Sequence, residues 1–179
     1  MRTSGPFGSR LLLIAVTIYL AATVSRADDL AVGARYPLPV TKPGHICVVV
    51  VVGYTMNEWF VRNVIEQTQK IADKYGDDVG VELDFTPGDT IEEYYKNAAP
   101  PVLHIPVVNL THYREQALGL NATPMMYIVD GSGIIQKVQI GWTGYSQKRV
   151  ENKKPWLINS ASDCIDKLQG NPAPAAPPN

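Results

Sequence analysis

The chain has 179 residues, of which 45% are hydrophobic and 18% are charged, and its formal net charge at pH 7 is −1. This length supports one domain with a sizeable core, and this composition excludes an intrinsically disordered chain. Because the chain has no basic excess, its charge gives no indication of nucleic-acid binding.

The first 27 residues have the pattern of a secretory signal peptide. Arg2 and Arg10 precede an apolar run over residues 11–24, and the small residues Ser25 and Ala27 lie just beyond it. The run is shorter than the roughly 20 residues that span a bilayer. We therefore predict cleavage after Ala27, export to the periplasm or the medium, and no membrane attachment afterwards. An uncleaved N-terminal anchor is the alternative.

The first half of the remaining chain alternates between strand and helix patterns. Residues 46–52 are a continuous apolar run, which is typical of a strand covered on both faces. Residues 61–75 carry apolar side chains at helical spacing, and Gly76 follows as a helix stop. Residues 79–85 alternate between apolar and other side chains, and this pattern predicts a second strand.

The second half predicts shorter elements and a hairpin. A turn comes first, followed by a short helix that is capped by Asp89 or Thr90 and ends near residue 98. An extended segment over residues 102–108 and a helix over residues 111–119 follow. Strands over residues 125–130 and 134–142 are joined by a Gly-rich turn, and a last helix covers residues 155–169. Together they predict one α/β domain over residues 28–169, with a mixed sheet and helices on both faces. The Pro/Ala-rich residues 170–179 predict a disordered tail.

Residues 117–142, ALGLNATPMMYIVDGSGIIQKVQIGW, resemble the second half of a thioredoxin fold. In that family a short helix leads to a Thr-Pro step with a cis proline, and a strand, a turn and a second strand follow. Thr123-Pro124 and Asp130-Gly131 match the step and the turn. The long segment before Thr123 resembles the exported TlpA/ResA type, related to the AhpC/TSA peroxiredoxins. The resemblance implies a thioredoxin-like mixed sheet with an inserted strand–helix unit and a C-terminal hairpin plus helix.

The family's reactive cysteines are missing from this sequence. In the family a Cys-x-x-Cys motif opens the first helix, whose N-terminus lowers the pKa of the first thiol. Met56, Asn57, Glu58 and Trp59, which we name the slot, occupy these positions, so the dithiol activity does not carry over. The peroxiredoxin pattern Thr-x-x-Cys also fails, because Thr55 is followed by Glu58 at the nucleophile position. We assign no catalytic residue and leave open whether the protein is an enzyme.

The resemblance leaves a groove that binds extended polypeptide in the family. It lies between the slot and the cis-proline loop of Thr123, Pro124 and Met125. Trp59 and the methionines are candidates for an apolar floor, with Glu58 at the rim, and packing of Trp59 into the core is the alternative. We therefore expect a protein or peptide partner, no nucleic acid and no cofactor.

The two cysteines leave three interpretations open. Cys47 lies early in the first strand, and Cys164 lies on the apolar face of the last helix. An even cysteine count in an exported protein favours a Cys47–Cys164 disulfide. Two buried, unreactive thiols are the second interpretation. A thiol–disulfide oxidoreductase that uses this pair unconventionally is the third.

A copper-handling accessory role is a further alternative. Met56, Met125 and Met126 offer thioether sulfurs, which bind Cu(I), although methionine is also a common core residue. The three histidines have no ligand spacing, and we predict no metal site.

Overall fold

The computed structural model describes residues 30–53, 58–95, 99–120, 122–140 and 156–170. The predicted signal peptide (residues 1–27) and all but the first residue of the predicted tail lie outside these ranges. Within the described ranges, no helix has the length and apolar character needed to cross a membrane. The elements in chain order are β1 (Ile46–Val52), α1 (Glu58–Tyr75), β2 (Val79–Phe85), α2 (Ile91–Tyr94), β3 (Val107–Asn109), α3 (His112–Ala117), β4 (Met125–Val129), β5 (Ile135–Ile140) and α4 (Trp156–Leu168).

The strands form one mixed sheet in the order β3-β2-β1-β4-β5. β1 pairs in parallel with β2, and β2 in parallel with β3, whereas β4 runs antiparallel to both β1 and β5. β1 is the central strand, and every residue from Cys47 to Val52 is buried. The continuous run of β-branched residues in β1 predicts a central strand, because a strand covered on both faces buries side chains on both of them. The predicted α/β class with a mixed sheet is confirmed.

α1 and α4 cover one face of the sheet, which we name the helical face. Their buried side chains form one cluster with Val48, Val50 and Val52 of β1. Successive strand residues point to opposite faces, so every second residue of β1 belongs to this cluster. Both helices were predicted from apolar side chains at helical spacing, and both are confirmed.

Gln67 of α1 joins the two helices. It is only 3% exposed, and its Oε1 accepts the backbone N–H groups of Leu157 and Ile158 at 2.8 and 3.4 Å. These N–H groups belong to the first turn of α4, where a helix has no internal acceptors. A polar side chain on the buried face of α1 therefore fixes where α4 begins against it.

The opposite face of the sheet has its own core cluster. We name it the strap face, because residues 33–42 cross it as a strap. Cys47, Val49 and Val51 of β1 pack there with Tyr127 of β4 and with Leu118, which follows α3. No residue of α3 itself is buried, and this face is covered by Leu118 and by residues 34–40 of the chain.

Between β2 and β4 the chain forms the strand–helix unit β3–α3, in agreement with the inserted unit that the resemblance implies, and β3 forms one edge of the sheet. α3 follows Thr111, the first residue of the predicted helix, and Thr111 is its N-cap: its Oγ1 accepts the backbone N–H of Arg114 at 3.3 Å. Gly119 ends this region with a φ of +59°, which glycine adopts without a steric penalty. Thr90, one of the two predicted candidates, is the N-cap of α2.

Residues 33–42, which we name the strap, cross the strap face from one side of the sheet to the other. At the β5 end, Gly33 N donates to Ile135 O at 2.8 Å and Tyr36 N donates to Gly133 O at 2.9 Å. These bonds extend the sheet briefly beyond β5. They hold the beginning of the strap to the hairpin.

The other end of the strap is held beside β2. The hydroxyl of Thr41 donates to Glu82 Oε2, and Lys42 Nζ pairs with Asp77 Oδ1 at 3.2 Å. Asp77 lies in the 3₁₀ turn that precedes β2. The strap is therefore tied at both ends and passes over β4 and β1 between them.

Candidate functional site

The end of β1 leads directly into a crowded glycine. Gly53 has a φ of +141°, and a Cβ at this position would lie 1.7 Å from Thr86 Oγ1 and 2.6 Å from Asp89 Oδ2. Real Cβ atoms do not approach other heavy atoms this closely. Only glycine fits, so the backbone after β1 lies directly against the end of β2.

Thr86, Asp89 and Tyr94 form a hydrogen-bonded cluster beside this glycine. Thr86 Oγ1 donates to Asp89 Oδ2 at 2.6 Å, and Tyr94 OH donates to Asp89 Oδ1 at 2.9 Å. The backbone N–H of Thr86 donates to Val52 O at 2.9 Å. Both carboxylate oxygens of Asp89 are thus satisfied, and the cluster fixes the loop between β2 and α2.

The predicted cis-proline loop reaches the same place. The Thr123–Pro124 peptide bond is cis, in agreement with the resemblance. Thr123 Oγ1 donates to Gly53 O at 2.6 Å, so the loop before β4 is tied to the end of β1. The structure therefore brings together two regions that are 70 residues apart in the sequence.

The described half of the slot opens α1. Glu58 forms an ion pair with Arg62 one turn later. Arg62 Nε also donates to Tyr94 O at 2.5 Å, and its guanidinium lies 4.8 Å from the centre of the Tyr95 ring. The first turn of α1 is thereby held against α2. Met56 and Asn57 lie outside the described residues.

Trp59 is a surface residue. Its side chain is 48% exposed, although it belongs to the first turn of a helix whose other face is buried. The alternative that Trp59 packs into the core is therefore wrong. The structure therefore presents an indole partly to solvent in the first turn of α1.

Both described methionines after the cis proline are core residues. Met125 and Met126 are 4% and 1% exposed and belong to the clusters on opposite faces of the sheet. The expectation that Met125 lines an exposed groove, and that the pair forms an apolar floor, is therefore wrong. For the same reason the two sulfurs cannot bind one copper ion together. Among the described residues, no group of three or more histidine, cysteine or acidic side chains is placed to bind a metal.

The two cysteines are free and lie on opposite sides of the sheet. Cys47 belongs to the strap-face cluster, whereas Cys164 packs against the helical-face cluster. The proposed Cys47–Cys164 disulfide is therefore wrong: the position of Cys47 in the pleat directs its side chain away from α4. Burial raises the pKa of both thiols, which disfavours the reactive thiolate.

Sequence reasoning did not identify two buried acidic side chains on β2. Glu82 and Asp84 are 7% and 2% exposed. Both point toward the strap face, because their partners in the register of β1 are Val49 and Val51. The alternating pattern of residues 79–85 contains this information, since it places two acids on one face of a strand. Only the structure adds that this face is covered by the strap.

Comparison with known proteins identifies the fold. Neither a family model nor a curated protein matches this sequence. Among solved structures, the chain is similar to a protein assigned as the thiol:disulfide interchange protein DsbE of Chlorobium tepidum. The identity is 13% over 69% of this chain and 94% of that chain, and the TM-score is 0.52.

A thiol:disulfide interchange protein from Bacteroides sp. is similar at 14% identity over 76% of this chain and 91% of that chain, with a TM-score of 0.50. An uncharacterized conserved protein from Geobacillus kaustophilus is similar at 14% identity over 82% and 87%, also with a TM-score of 0.50. At these identities the similarity establishes the fold. The fold is thioredoxin-like, and residues 56–59, which the resemblance assigns to the slot, contain no cysteine.

Proposed function

We propose that this protein is an exported, redox-inactive thioredoxin-like protein that binds an extended polypeptide at the cis-proline end of its sheet. The observation that carries the proposal is the exposed indole of Trp59 in a slot without cysteine. A helix N-terminus that normally presents a thiol presents a large aromatic surface instead. Aromatic side chains of this kind dominate many binding interfaces.

The geometry around Trp59 supports binding rather than catalysis. The loop before β4 is fixed to the end of β1 by the Thr123–Gly53 hydrogen bond, and Glu58 is held by Arg62. The exposed side chain of Ile140 lies at the same end of the sheet, because Ile140 pairs with Met125 at the start of β4. A fixed surface with exposed apolar groups loses little conformational entropy when a partner binds.

No observation favours the redox alternative. An exchange reaction within one chain requires two sulfurs in contact, and the sheet separates Cys47 from Cys164. Neither cysteine lies at a helix N-terminus, and the pKa of each thiol is raised by burial. Export remains a proposal that rests on the charged, apolar and small-residue pattern of residues 1–27.

We expect replacement of Trp59 by alanine to weaken polypeptide binding about 30-fold, which corresponds to ~2 kcal/mol for a central aromatic contact. The measurement is fluorescence anisotropy of labelled, reduced and carboxymethylated lysozyme, a permanently unfolded polypeptide, titrated with the purified protein. Tyr113→Ala is the matched control, because Tyr113 is a 79% exposed aromatic side chain on α3. Equal affinities of the two variants, or no binding by the unmutated protein, would rule out this function.

A second experiment tests the position of the slot. The double variant Met56→Cys/Trp59→Cys is expected to gain disulfide reductase activity, since it restores Cys-x-x-Cys at the N-terminus of α1. Reduction of insulin by dithiothreitol, followed as turbidity, measures this gain. Each single variant is the control, because one cysteine cannot close the internal disulfide. A folded double variant that forms the disulfide but stays inactive would contradict the assignment of residues 56–59 to the slot.

A further inference from the structure

Two carboxyl groups lie side by side beneath the strap without a basic partner. Glu82 and Asp84 are two residues apart on the same face of β2, so they are neighbours along the strand. Neither forms an ion pair within the described part of the chain. Glu82 accepts the hydroxyl of Thr41, which lies in the strap.

No polar atom of the described residues forms a hydrogen bond with Asp84 Oδ1. Asp84 Oδ1 and the hydroxyl of Tyr36, itself 5% exposed, are buried and have no hydrogen-bond partner among the described residues. Tyr36 belongs to the strap, and its ring lies 5.5 Å from that of Tyr127 on β4. The hydroxyl of Tyr127 donates to Leu118 O at 3.1 Å and is not available to Asp84.

Among the described residues, no element around the pair supplies a positive charge in ion-pair contact with it. The α3 side chain Arg114 lowers the pKa of both carboxyls through space but forms no ion pair with either of them in the described structure. From β1, Cys47 faces the same side, and burial keeps its thiol protonated. Burial of two negative charges with no bound cation is strongly unfavourable. The geometry therefore favours a protonated form of the pair.

We propose that Glu82 and Asp84 form a proton-binding site that holds the strap closed, and that loss of the bound proton releases the strap from the sheet. In the closed form the carboxyls are under the strap, and Tyr36 and Thr41 cover them. In the open form water solvates the carboxylates, which are then ionised at neutral pH. Closing the strap therefore takes up a proton, and raising the pH favours opening. This inference does not depend on polypeptide binding.

The direction and size of the effect follow from linkage. Burial, with the nearby charge of Glu82, raises the pKa of Asp84 from 3.8 to about 8, and burial raises the pKa of Glu82 as well. Between the ordinary and the raised pKa, the closed form holds a proton that the open form has lost. The equilibrium constant for opening then rises up to about tenfold for each pH unit, for one proton.

Hydrogen exchange of strap amides tests the proposal in the purified protein. The amides of Gly33 and Tyr36 donate the bonds that hold the strap to the hairpin, so they exchange when it opens. Their protection factors, corrected for the intrinsic rate at each pH, are expected to fall at least tenfold between pH 6 and pH 8. They are also expected to lie below the protection factor of Val50 in the central strand.

Two variants and one control decide the outcome. Asp84→Asn is expected to abolish the fall in strap protection between pH 6 and pH 8, and Glu82→Gln is expected to reduce it. If Asp84→Asn does not fold, Glu82→Gln tests the proposal. Glu92→Gln, at an exposed acid on α2, should leave the fall unchanged. If the strap protection factors of both β2 variants fall by as much as those of the unmutated protein, the proposal is overturned. Strap protection that is independent of pH, or equal to that of Val50 at every pH, also overturns it.

Discussion

Replacement of Gly53 by alanine is expected to destabilise the protein by about 4 kcal/mol, a large share of the stability of a domain of this size. The added Cβ would meet Thr86 Oγ1 at 1.7 Å, so the Thr86–Asp89 hydrogen bond has to break or the loop has to move. The φ of +141° adds strain for any residue with a side chain. Urea unfolding followed by far-ultraviolet circular dichroism measures the change in the free energy of unfolding.

Gly88→Ala separates crowding from backbone strain. Gly88 lies in the neighbouring loop with a φ of +91°, and a Cβ there would have no heavy atom within 4 Å. Its loss of stability is expected to be about 1 kcal/mol, which is the penalty for the conformation alone. If Gly53→Ala and Gly88→Ala have equal effects, the close contact between the ends of β1 and β2 is not what requires glycine at position 53.

The sheet and its helices were predictable because their patterns are local. The valine run of β1, the helical spacing in α1 and α4, and the turn between β4 and β5 each identify an element without reference to the rest of the chain. The helix beginning at Thr111 was predicted in the same way, since a cap depends only on the residues that follow it. These elements carry most of the fold.

The face to which a residue points was harder to predict than its element. Cys47 and Cys164 were correctly placed on a buried strand and on the apolar side of a helix, yet they lie on opposite sides of the sheet. Adjacent Met125 and Met126 are separated in the same way. A strand buried on both faces has no polar residues to show which side meets which helix, so the sequence leaves this choice open.

The candidate site was predicted in part. The slot and the cis-proline loop came from the resemblance, and the Thr123–Gly53 bond places the loop beside the end of β1. The cluster of Thr86, Asp89 and Tyr94 was not predicted, because it depends on how a loop packs against a distant glycine. Such contacts between separate loops have no period or spacing in the sequence.

Asp84→Asn is expected to change how the stability of the whole protein depends on pH. Because burial raises the pKa of Asp84 to about 8, the folded protein holds a proton that the unfolded chain has lost at neutral pH. The stability from this proton is complete below the ordinary pKa of 3.8 and is lost as the pH rises through about 8. From pH 6 to pH 8 this carboxyl alone lowers the free energy of unfolding by about 2 kcal/mol.

An asparagine has nearly the same shape but no proton to lose, so the variant should lack this part of the decline and be more stable than the unmutated protein at pH 8. Urea unfolding at pH 6, 7 and 8 measures the difference between the two proteins. Asp163→Asn, at an exposed position on α4, should leave the decline intact, since its carboxylate is solvated in both states. If Asp84→Asn and the unmutated protein decline in parallel, Asp84 is ionised in the folded protein at neutral pH. In that case an interaction beyond those of the described residues must compensate its buried charge.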